Sequence, residues 1–278
     1  MADDYVRDYR ERGFAVIRNV VSAAEIAALA EAFDRVHAQA LAHGANYRDG
    51  NVYFRLGRDP VNGVIPRLVQ WPSYFDDVLA GFRIDRRIGE IMAPLLGRDI
   101  KQIINQMHWK PPGAAAEFGL HQDIGFRRPR EAYRNPATSY VQSGLAIDPH
   151  GPENGAMQVY PGSHRMGEIA LPGDGPVMRR TLAPEELTPA GLDPARLETL
   201  ELAPGDLALW GLYMLHGSGP NRSPTDRRFY LNGYVRATDC DRGEWAFRHG
   251  EPCPLGAPQL VHYEELGSRP GPFYEAFE

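Results

Sequence analysis

Residues 207–216 read LALWGLYMLH, an apolar run that ends in a histidine. The turn-forming residues GSGPN follow at 217–221, and a second apolar run, RRFYLNGYVR, occupies 227–236. Short apolar runs that are separated by Gly, Pro and Asn are typical of antiparallel strands. These residues predict two strands joined by a turn, with His216 at the end of the first strand.

The pattern of short apolar runs separated by Gly, Pro and Asn extends back to about residue 100. The residues before it show a different pattern. There, 13–18 predicts a short strand, Ser22 and Glu25 form a capping box that opens a helix, and 85–96 predicts a second helix. Strands are predicted at roughly 101–110, 140–148, 155–160, 199–203, 207–215 and 227–236. Helices beside an antiparallel, sheet-rich half predict an α+β fold that is mainly β, with a double-sheet jelly roll as the natural candidate.

The chain is expected to form one domain over residues 1–278. Its content of 43% hydrophobic and 24% charged residues suits a globular core. Within the domain, 1–100 would hold the strand and a helical layer, and 101–240 the β core with a Pro- and Gly-rich insertion at about 165–198. Residues 241–278 would form a C-terminal extension.

Charge and composition narrow the expected partners and location. A formal net charge of −6 argues against nucleic acid or an anionic membrane surface as a partner. No segment approaches the ~18 uninterrupted apolar residues of a membrane span, and the acidic amino terminus does not look like a secretory signal. Cys240 and Cys253 lie in no CxxC pair and are expected to be reduced thiols. A cytoplasmic protein is therefore expected. A monomer or homodimer is expected as well, although the sequence leaves the oligomeric state open.

A candidate metal site combines His121 and Asp123 with His216. Residues two apart on a strand or at its exit share a face, so His121 and Asp123 could reach one ion. The pattern alone is weak evidence, and His216 could instead satisfy the backbone of the adjacent turn. The apolar residues around His121 and Asp123 favour a metal, because buried polar groups need partners. On the following strand, alternation allows only one of Arg227 and Arg228 to face inward.

Further motifs follow one another along the chain. They are YRERGFAV at 9–16, KPPG at 110–113, GLHQD at 119–123, ENGAMQVYPGSHR at 153–165, APGD at 203–206, and HGS at 216–218 with Arg227. Together they resemble the phytanoyl-CoA dioxygenase family, within the Fe(II)- and 2-oxoglutarate-dependent oxygenases, over most of the chain. The family resemblance implies a double-stranded β-helix, a cupin-like jelly roll, with helices packed outside.

The resemblance also implies a metal centre and a reaction. His121, Asp123 and His216 would ligate Fe(II) and serve as the catalytic residues. With O2 and 2-oxoglutarate, the enzyme would hydroxylate an unactivated C–H bond of a small molecule and release succinate and CO2. Halogenating relatives carry a small residue in place of the carboxylate, so Asp123 argues against chlorination.

Contacts to the cosubstrate are implied in the same way. Arg227 would bind the distal carboxylate of 2-oxoglutarate, since a guanidinium can bond both of its oxygens. Ser218 and Gln106 would be further cosubstrate contacts. His164 is not expected to be a ligand, because the loop that carries it closes over the barrel in relatives.

The substrate is expected to be a small molecule, with neither nucleic acid nor membrane as partner. Ile104, Gln106 and His108 share one face of a strand, so His108 faces the cavity if Gln106 does. Candidate substrate contacts are His108, Phe126, Arg127, Tyr140 and Trp210. The arginines at 127, 128, 130 and 134 either form an anion-binding rim or belong to a solvated loop.

Other functions fit the same barrel. A cupin-type hydrolase or isomerase with zinc or manganese would keep the metal ligands, but would not need the arginine beyond the second histidine. A non-catalytic binding protein could retain the pocket without turnover. Arg227 and the intact ligand set favour the oxygenase.

Overall fold

The structure is a computed structural model that describes residues 2–171, 183–257 and 271–277. Its helices are α1 Ala2–Arg12, α2 Ala23–Ala42, α3 Asp77–Arg83 and α4 Arg86–Leu96. The first strands are β1 Phe14–Ile17, β2 Asn46–Asp49, β3 Val52–Asp59, β4 Gly63–Gln70, β5 Ile100–Lys110, β6 Phe118–His121, β7 Tyr140–Ala146 and β8 Met157–Val159. The later strands are β9 Glu198–Thr199, β10 Leu207–Trp210, β11 His216–Ser218, β12 Arg227–Arg236, β13 Glu244–Arg248, β14 Glu251–Pro252 and β15 Phe273–Glu275.

The strands form two antiparallel sheets. The large sheet has the order β1-β10-β7-β12-β5-β4-β3-β2-β15, with β13 added beside β5 and β14 beside β13. The small sheet has the order β6-β11-β8-β9. Side chains from both sheets line one cavity between them. This is the expected jelly roll, mainly β, with helices outside it.

The helical layer covers the outer face of the large sheet. Ser22 caps α2 in the predicted capping box, and Ile26, Leu29 and Phe33 are buried along one side of this helix. Phe33 meets the ring of Tyr230 edge-on, with 5.9 Å between the centroids. Burying these apolar faces holds the helices on the sheet and leaves its inner face for the cavity.

A buried polar network also joins the helical side to β5 and β12. The Tyr230 hydroxyl accepts a hydrogen bond from the Asn105 amide at 2.7 Å and donates to the carbonyl of Leu79 at 3.0 Å. The hydroxyl of Ser73 lies 2.7 Å from the same oxygen. All these polar atoms have partners, so the network fixes the strand pair against α3 without leaving buried groups unsatisfied.

Most of the predicted elements are confirmed. The strand at 13–18, both helices, and the strands at 101–110, 140–148, 155–160 and 227–236 occur within a few residues of the prediction. At 199–203 the structure has only the short β9, Glu198–Thr199. The weak helical signal at 184–187 is a 3-10 helix, Pro184–Leu187, and residues 172–182 of the predicted insertion lie outside the described residues.

Two predictions about the elements were wrong. The first hundred residues are not only a helical layer after one strand, because α1 precedes β1 and β2, β3 and β4 occupy 46–70. In β3, Val52, Phe54 and Leu56 are buried while the residues between them are less so, a period of two that marks a strand. The strand predicted at 207–215 ends at Trp210, and the chain then crosses to the small sheet.

The part predicted as a C-terminal extension is tied to the main sheet where it is described. β13 pairs with β5, and β15 pairs with β2 at the sheet edge. Residues 258–270 lie outside the described part. Within the residues described, no helix is both long and apolar enough to cross a bilayer.

Candidate metal centre and its cavity

The three predicted metal ligands meet at one point. His121 ends β6, Asp123 opens a short 3-10 turn, and His216 opens β11, where it lies directly opposite His121. The Oδ1 atom of Asp123 lies 3.7 Å from Nε2 of His121 and 4.0 Å from Nε2 of His216. One donor atom from each residue lies within 4.8 Å of the others, so all three can reach a single ion.

Backbone carbonyls orient both imidazoles. Nδ1 of His121 lies 2.8 Å from the carbonyl oxygen of Gly119, and Nδ1 of His216 lies 2.9 Å from that of Met214. A carbonyl oxygen can only accept, so each Nδ1 carries the proton and donates it. The lone pair of each Nε2 is then available to a metal, which is the usual arrangement of ligating histidines.

Trp210 holds the carboxylate of Asp123. Its indole Nε1 donates to Oδ2 of Asp123 at 3.1 Å, which leaves Oδ1 directed at the two imidazoles. Burial favours a higher pKa for Asp123, but the neighbouring His216, Arg127 and His121 and the hydrogen bond from Trp210 outweigh it and hold this pKa below its usual value. Asp123 is therefore an ionised, oriented ligand at neutral pH.

The middle residue of the motif has a structural role. The side-chain amide of Gln122 donates to the carbonyls of Gly167 and Tyr213, at 2.8 Å and 2.7 Å. Its Oε1 accepts from the backbone N–H of Ile169 at 2.7 Å. Gln122 thereby joins the His121–Asp123 segment to the chain that leads into His216.

The two arginines at the start of β12 point to opposite faces, as alternation predicts. Arg228 faces outward and forms a two-pronged ion pair with Asp148, at 2.9 Å and 2.8 Å. Arg227 faces the cavity, is only 2% exposed and donates to the carbonyl of Gly155 at 2.8 Å. Among the described residues its Nε has no hydrogen-bond partner. Burial lowers the pKa of Arg227 to about 10, so it remains charged at neutral pH.

Lys110 is a site residue that the sequence analysis missed. It lies opposite Arg227 in the β5–β12 pair, and its buried ammonium donates to Oγ of Ser218 at 2.7 Å and to the carbonyl of Gly219. Burial and the neighbouring Arg227 hold the pKa of Lys110 well below its usual value. The pairing register alone brings Lys110 to this place, and the sequence does not show that register.

The metal centre opens into a cavity of about 340 Å³, a size that suits a small ligand. Ile104, Gln106 and His108 line it from one face of β5, as the strand period predicts. His108 stacks on Phe118, with 5.0 Å between the ring centroids, and its Nε2 lies 3.0 Å from Oε1 of Gln106. Burial, with Arg227 and Lys110 nearby, lowers the pKa of His108 to about 3.

The predicted substrate contacts divide into two groups. Phe126, Arg127 and Trp210 line the cavity with His108. Tyr140 does not line it. It lies behind Arg127 and accepts a hydrogen bond from the guanidinium at 2.9 Å, and its contact with a substrate stays a prediction.

The arginines after the metal motif do not form one rim. Arg130 pairs with Glu168 through two contacts of 2.7 Å, and Arg134 pairs with Asp241 through two contacts of 2.9 Å. Both ion pairs are on the surface, as the solvated-loop interpretation predicts. Only Arg127 of this group reaches the cavity.

Several lining residues come from elements that the sequence analysis did not predict. They are Arg48 on β2, Tyr53 and Arg55 on β3, and Leu68 and Gln70 on β4. Gln142 on β7 also lines the cavity and was missed. The period of two in β3 was the available signal, whereas nothing local indicates which cavity these strands border.

Comparison with known proteins identifies the family. The model of the family described as phytanoyl-CoA dioxygenase (PhyH) matches residues 9–229. This chain belongs to that family. The resemblance inferred from the motifs is thus confirmed, and so is the expectation of an oxygenase that uses iron and 2-oxoglutarate.

A curated relative is similar in sequence, and solved structures share the fold. A relative from Stutzerimonas stutzeri, described as "Probable alpha-ketoglutarate-dependent hypophosphite dioxygenase", is 28% identical over 239 residues, covering 83% of this chain and 77% of the relative. The fold resembles that of EctD from S. alaskensis, with a TM-score of 0.65, 20% identity and coverage of 95% of this chain and 84% of that one. It also resembles the epimerase SnoN, solved with Fe3+, alpha ketoglutarate and nogalamycin RO, with a TM-score of 0.61, 20% identity and coverage of 94% and 98%.

Proposed function

We propose that this member of the phytanoyl-CoA dioxygenase family hydroxylates an unactivated C–H bond of a small molecule and converts 2-oxoglutarate to succinate and CO2. The observation that carries the proposal is the meeting of His121, Asp123 and His216 in a cavity that the buried Arg227 also lines. A metal hydrolase would need the three metal ligands, but it would not need the buried guanidinium of Arg227 beyond them.

The donor set fits the metal. Two imidazoles and one carboxylate that leave further positions open are typical of non-haem Fe(II) oxygenases. His121 and His216 each have an Nε2 lone pair available, and Asp123 has Oδ1 available. When bound, iron with 2-oxoglutarate and O2 supplies the oxidising power for hydroxylation, and the protein supplies the positions of the reactants.

The charges fit the cosubstrate. Arg227 and Lys110 are buried side by side, and their hydrogen-bond partners are carbonyl and hydroxyl oxygens, which carry no charge. Buried cations are stabilised by an opposite charge, and the distal carboxylate of 2-oxoglutarate would supply it. The Nε of Arg227, which lacks a partner among the described residues, gives that carboxylate a donor.

Ser218 would be oriented for the same carboxylate. Its Oγ accepts from the ammonium of Lys110, so its own proton is free to be donated to a ligand. Gln106 and His108 line the cavity between this end and the middle of β5. Apolar side chains such as Phe118, Met157 and Phe229 line it as well, which limits the access of water.

The size of the cavity is the reason for proposing a small-molecule substrate. The relative described as a hypophosphite dioxygenase supports a small substrate. The cytoplasmic location and the monomeric or dimeric state remain predictions.

The metal centre is tested by spectroscopy. Under anaerobic conditions, wild-type protein with Fe(II) and 2-oxoglutarate should develop a weak visible charge-transfer band, and His121→Ala should abolish it. His164→Ala is the matched control, because His164 contacts the backbone of Arg10 and lies outside the ligand cluster. Absence of the band in the loaded wild-type protein would contradict the proposal.

Turnover is tested with a panel of small metabolites. Succinate release identifies the substrate, and mass analysis of the product should show a gain of one oxygen. A product with two fewer hydrogens and no added oxygen would replace hydroxylation by desaturation or ring closure.

A further inference from the structure

The cavity has a second polar end, far from Arg227. Along β12, Arg227 lies opposite Lys110, whereas Gly233 lies opposite Gln142 of β7. Six residues of an antiparallel strand span roughly 20 Å. Gln142 and the cosubstrate cations therefore mark opposite ends of the inner face of the large sheet.

A chain of hydrogen bonds orients Gln142. Arg127 donates to the hydroxyl of Tyr140 at 2.9 Å, and this hydroxyl donates to Oε1 of Gln142 at 2.8 Å. A guanidinium only donates, so the Tyr140 proton is left for Gln142, and the amide oxygen must face Tyr140. The Nε2 of Gln142 is thereby turned away from Tyr140.

That amide nitrogen has no hydrogen-bond partner among the described residues. Gln142 is only 2% exposed and its side chain lines the cavity. A buried donor without an acceptor costs free energy, so a native structure that contains one usually meets a ligand or a water there. Because Nε2 of Gln142 is a hydrogen-bond donor, the ligand that meets it must provide an acceptor.

Gly233 makes the hydrogen-bond chain sterically possible. A Cβ added at this position would collide with the hydroxyl of Tyr140 and with Oε1 of Gln142. The absence of a side chain on β12 thus lets Tyr140 and Gln142 approach each other. The arrangement is built by two strands, β7 and β12, and the segment after the metal motif.

The charges that line the cavity favour an anion. Apart from histidines and Tyr53, its ionisable lining residues are the arginines Arg48, Arg55, Arg127 and Arg227 and a single carboxylate, Asp123, which the metal would bind. Arg127 is buried and contacts the cavity at the Gln142 end. A negatively charged group would be attracted to this end and bonded by charge-assisted donors.

We propose that the substrate is a small anion whose oxyanion group is bound by Arg127 and by Nε2 of Gln142. The group is a carboxylate or a phosphorus oxyanion, and the remainder of the molecule lies against Ile104 and Leu231 on the way to the metal. The oxidation of this substrate rests on the proposed function, whereas the binding of the anion is measured separately.

Binding is tested by calorimetry on the full chain under anaerobic conditions, with Fe(II) and saturating 2-oxoglutarate. The probes are butyrate, propylphosphonate and the neutral butyramide. At least one anion should bind about tenfold or more tightly than butyramide, as expected for hydrogen bonds to a charged group. The better anion identifies the head group. Equal affinity for butyramide and both anions would overturn the proposal.

Gln142→Glu is the sharpest variant. It keeps an oxygen for Tyr140 but replaces the donor with a carboxylate that would pair with Arg127, so anion affinity should fall by about 10–150-fold. Arg127→Gln should weaken anion binding in the same range, and it provides the test if Gln142→Glu fails to fold. Arg130→Gln is the matched control, because Arg130 pairs with Glu168 on the surface. Unchanged anion affinity in folded Gln142→Glu or Arg127→Gln protein would contradict the assignment.

The charge-transfer band separates the two proposals. A wild-type protein that forms the band but binds no anion would keep the oxygenase and remove the anion site. A protein that binds anions through Arg127 and Gln142 but forms no band would keep the anion site and remove the oxygenase.

Discussion

At the scale of single residues, the metal centre depends on hydrogen bonds that its side chains make away from the metal. The carbonyls of Gly119 and Met214 set the tautomers of the two histidines, and Trp210 holds one oxygen of Asp123. Partners of this kind fix ring and carboxylate orientation, and their loss typically weakens a metal site without removing a ligand.

Trp210→Phe is expected to weaken iron binding. The aromatic ring is kept but the donor to Oδ2 of Asp123 is lost, so the dissociation constant for Fe(II) should rise by about 10–100-fold. Competition with a chromogenic chelator under anaerobic conditions measures it. Trp245→Phe is the control, since Trp245 is on β13 and does not line the cavity. An unchanged affinity in Trp210→Phe would mean that the indole only fills space.

Arg227→Ala is expected to raise the dissociation constant of 2-oxoglutarate. Losing charge-assisted hydrogen bonds costs about 1.5–3 kcal/mol, or about 10–150-fold. Titration of the charge-transfer band measures the change. Arg228→Ala should leave it unaltered, because Arg228 bonds Asp148 on the opposite face of the sheet. If both variants behave like wild type, Arg227 does not bind the cosubstrate.

At the scale of elements, the β5–β12 pair organises the molecule. Alternate residues of these strands, among them His108, Lys110 and Arg227, face the cavity or the cosubstrate end. The residues between them, such as Asn105 and Tyr230, belong to the buried network that meets the helical layer. A shift of one residue in this register would exchange the two faces and remove the site.

Tyr230→Phe is expected to destabilise the fold by about 1–3 kcal/mol, because it leaves buried polar partners unsatisfied. These partners are the amide of Asn105, the hydroxyl of Ser73 and the carbonyl of Leu79. Urea unfolding gives the free energy of unfolding. Tyr274→Phe, at a side chain that is 57% exposed, should change it by no more than about 0.5 kcal/mol. A Tyr230→Phe protein as stable as the control would show that the network contributes little.

At the scale of the whole molecule, burial of histidines makes the fold sensitive to acid. His150 is buried against Phe229, and its Nε2 lies 3.2 Å from the carbonyl of Arg228. Burial, together with the charge of Arg227, holds the pKa of His150 well below its usual value. The folded state therefore keeps this imidazole neutral, whereas the unfolded chain protonates it near pH 6.5. Its stabilising effect is present above that pH and is lost as the pH falls toward the folded-state pKa.

His150→Leu is expected to reduce this acid sensitivity. Between pH 7 and pH 5, wild-type protein should lose more of its free energy of unfolding than the variant, by up to about 2 kcal/mol, since a single proton bound only by the unfolded state contributes about 1.4 kcal/mol per pH unit. Urea unfolding at both pH values measures the difference. Parallel pH profiles for the two proteins would exclude His150 as a source of the sensitivity.

The sequence by itself determined what depends on neighbours along the chain. The apolar runs and turns located the core strands β5, β7, β10 and β12 together with β1 and β8, and the capping box at Ser22 located α2. The period of two indicated that only one of Arg227 and Arg228 turns inward and that Gln106 and His108 share a face, because the direction of a side chain on a strand depends only on its position in that strand. The motif order named the family.

Only the tertiary structure decided which distant residues meet. The opposition of His121 and His216, the placement of Lys110 beside Arg227 and the chain from Arg127 to Gln142 all result from pairing between strands far apart in the sequence. Such pairing is set by the burial of whole faces and by the register of the sheet, which no local pattern encodes. For the same reason the sequence did not show that Tyr140 links Arg127 to Gln142, two residues that line the cavity.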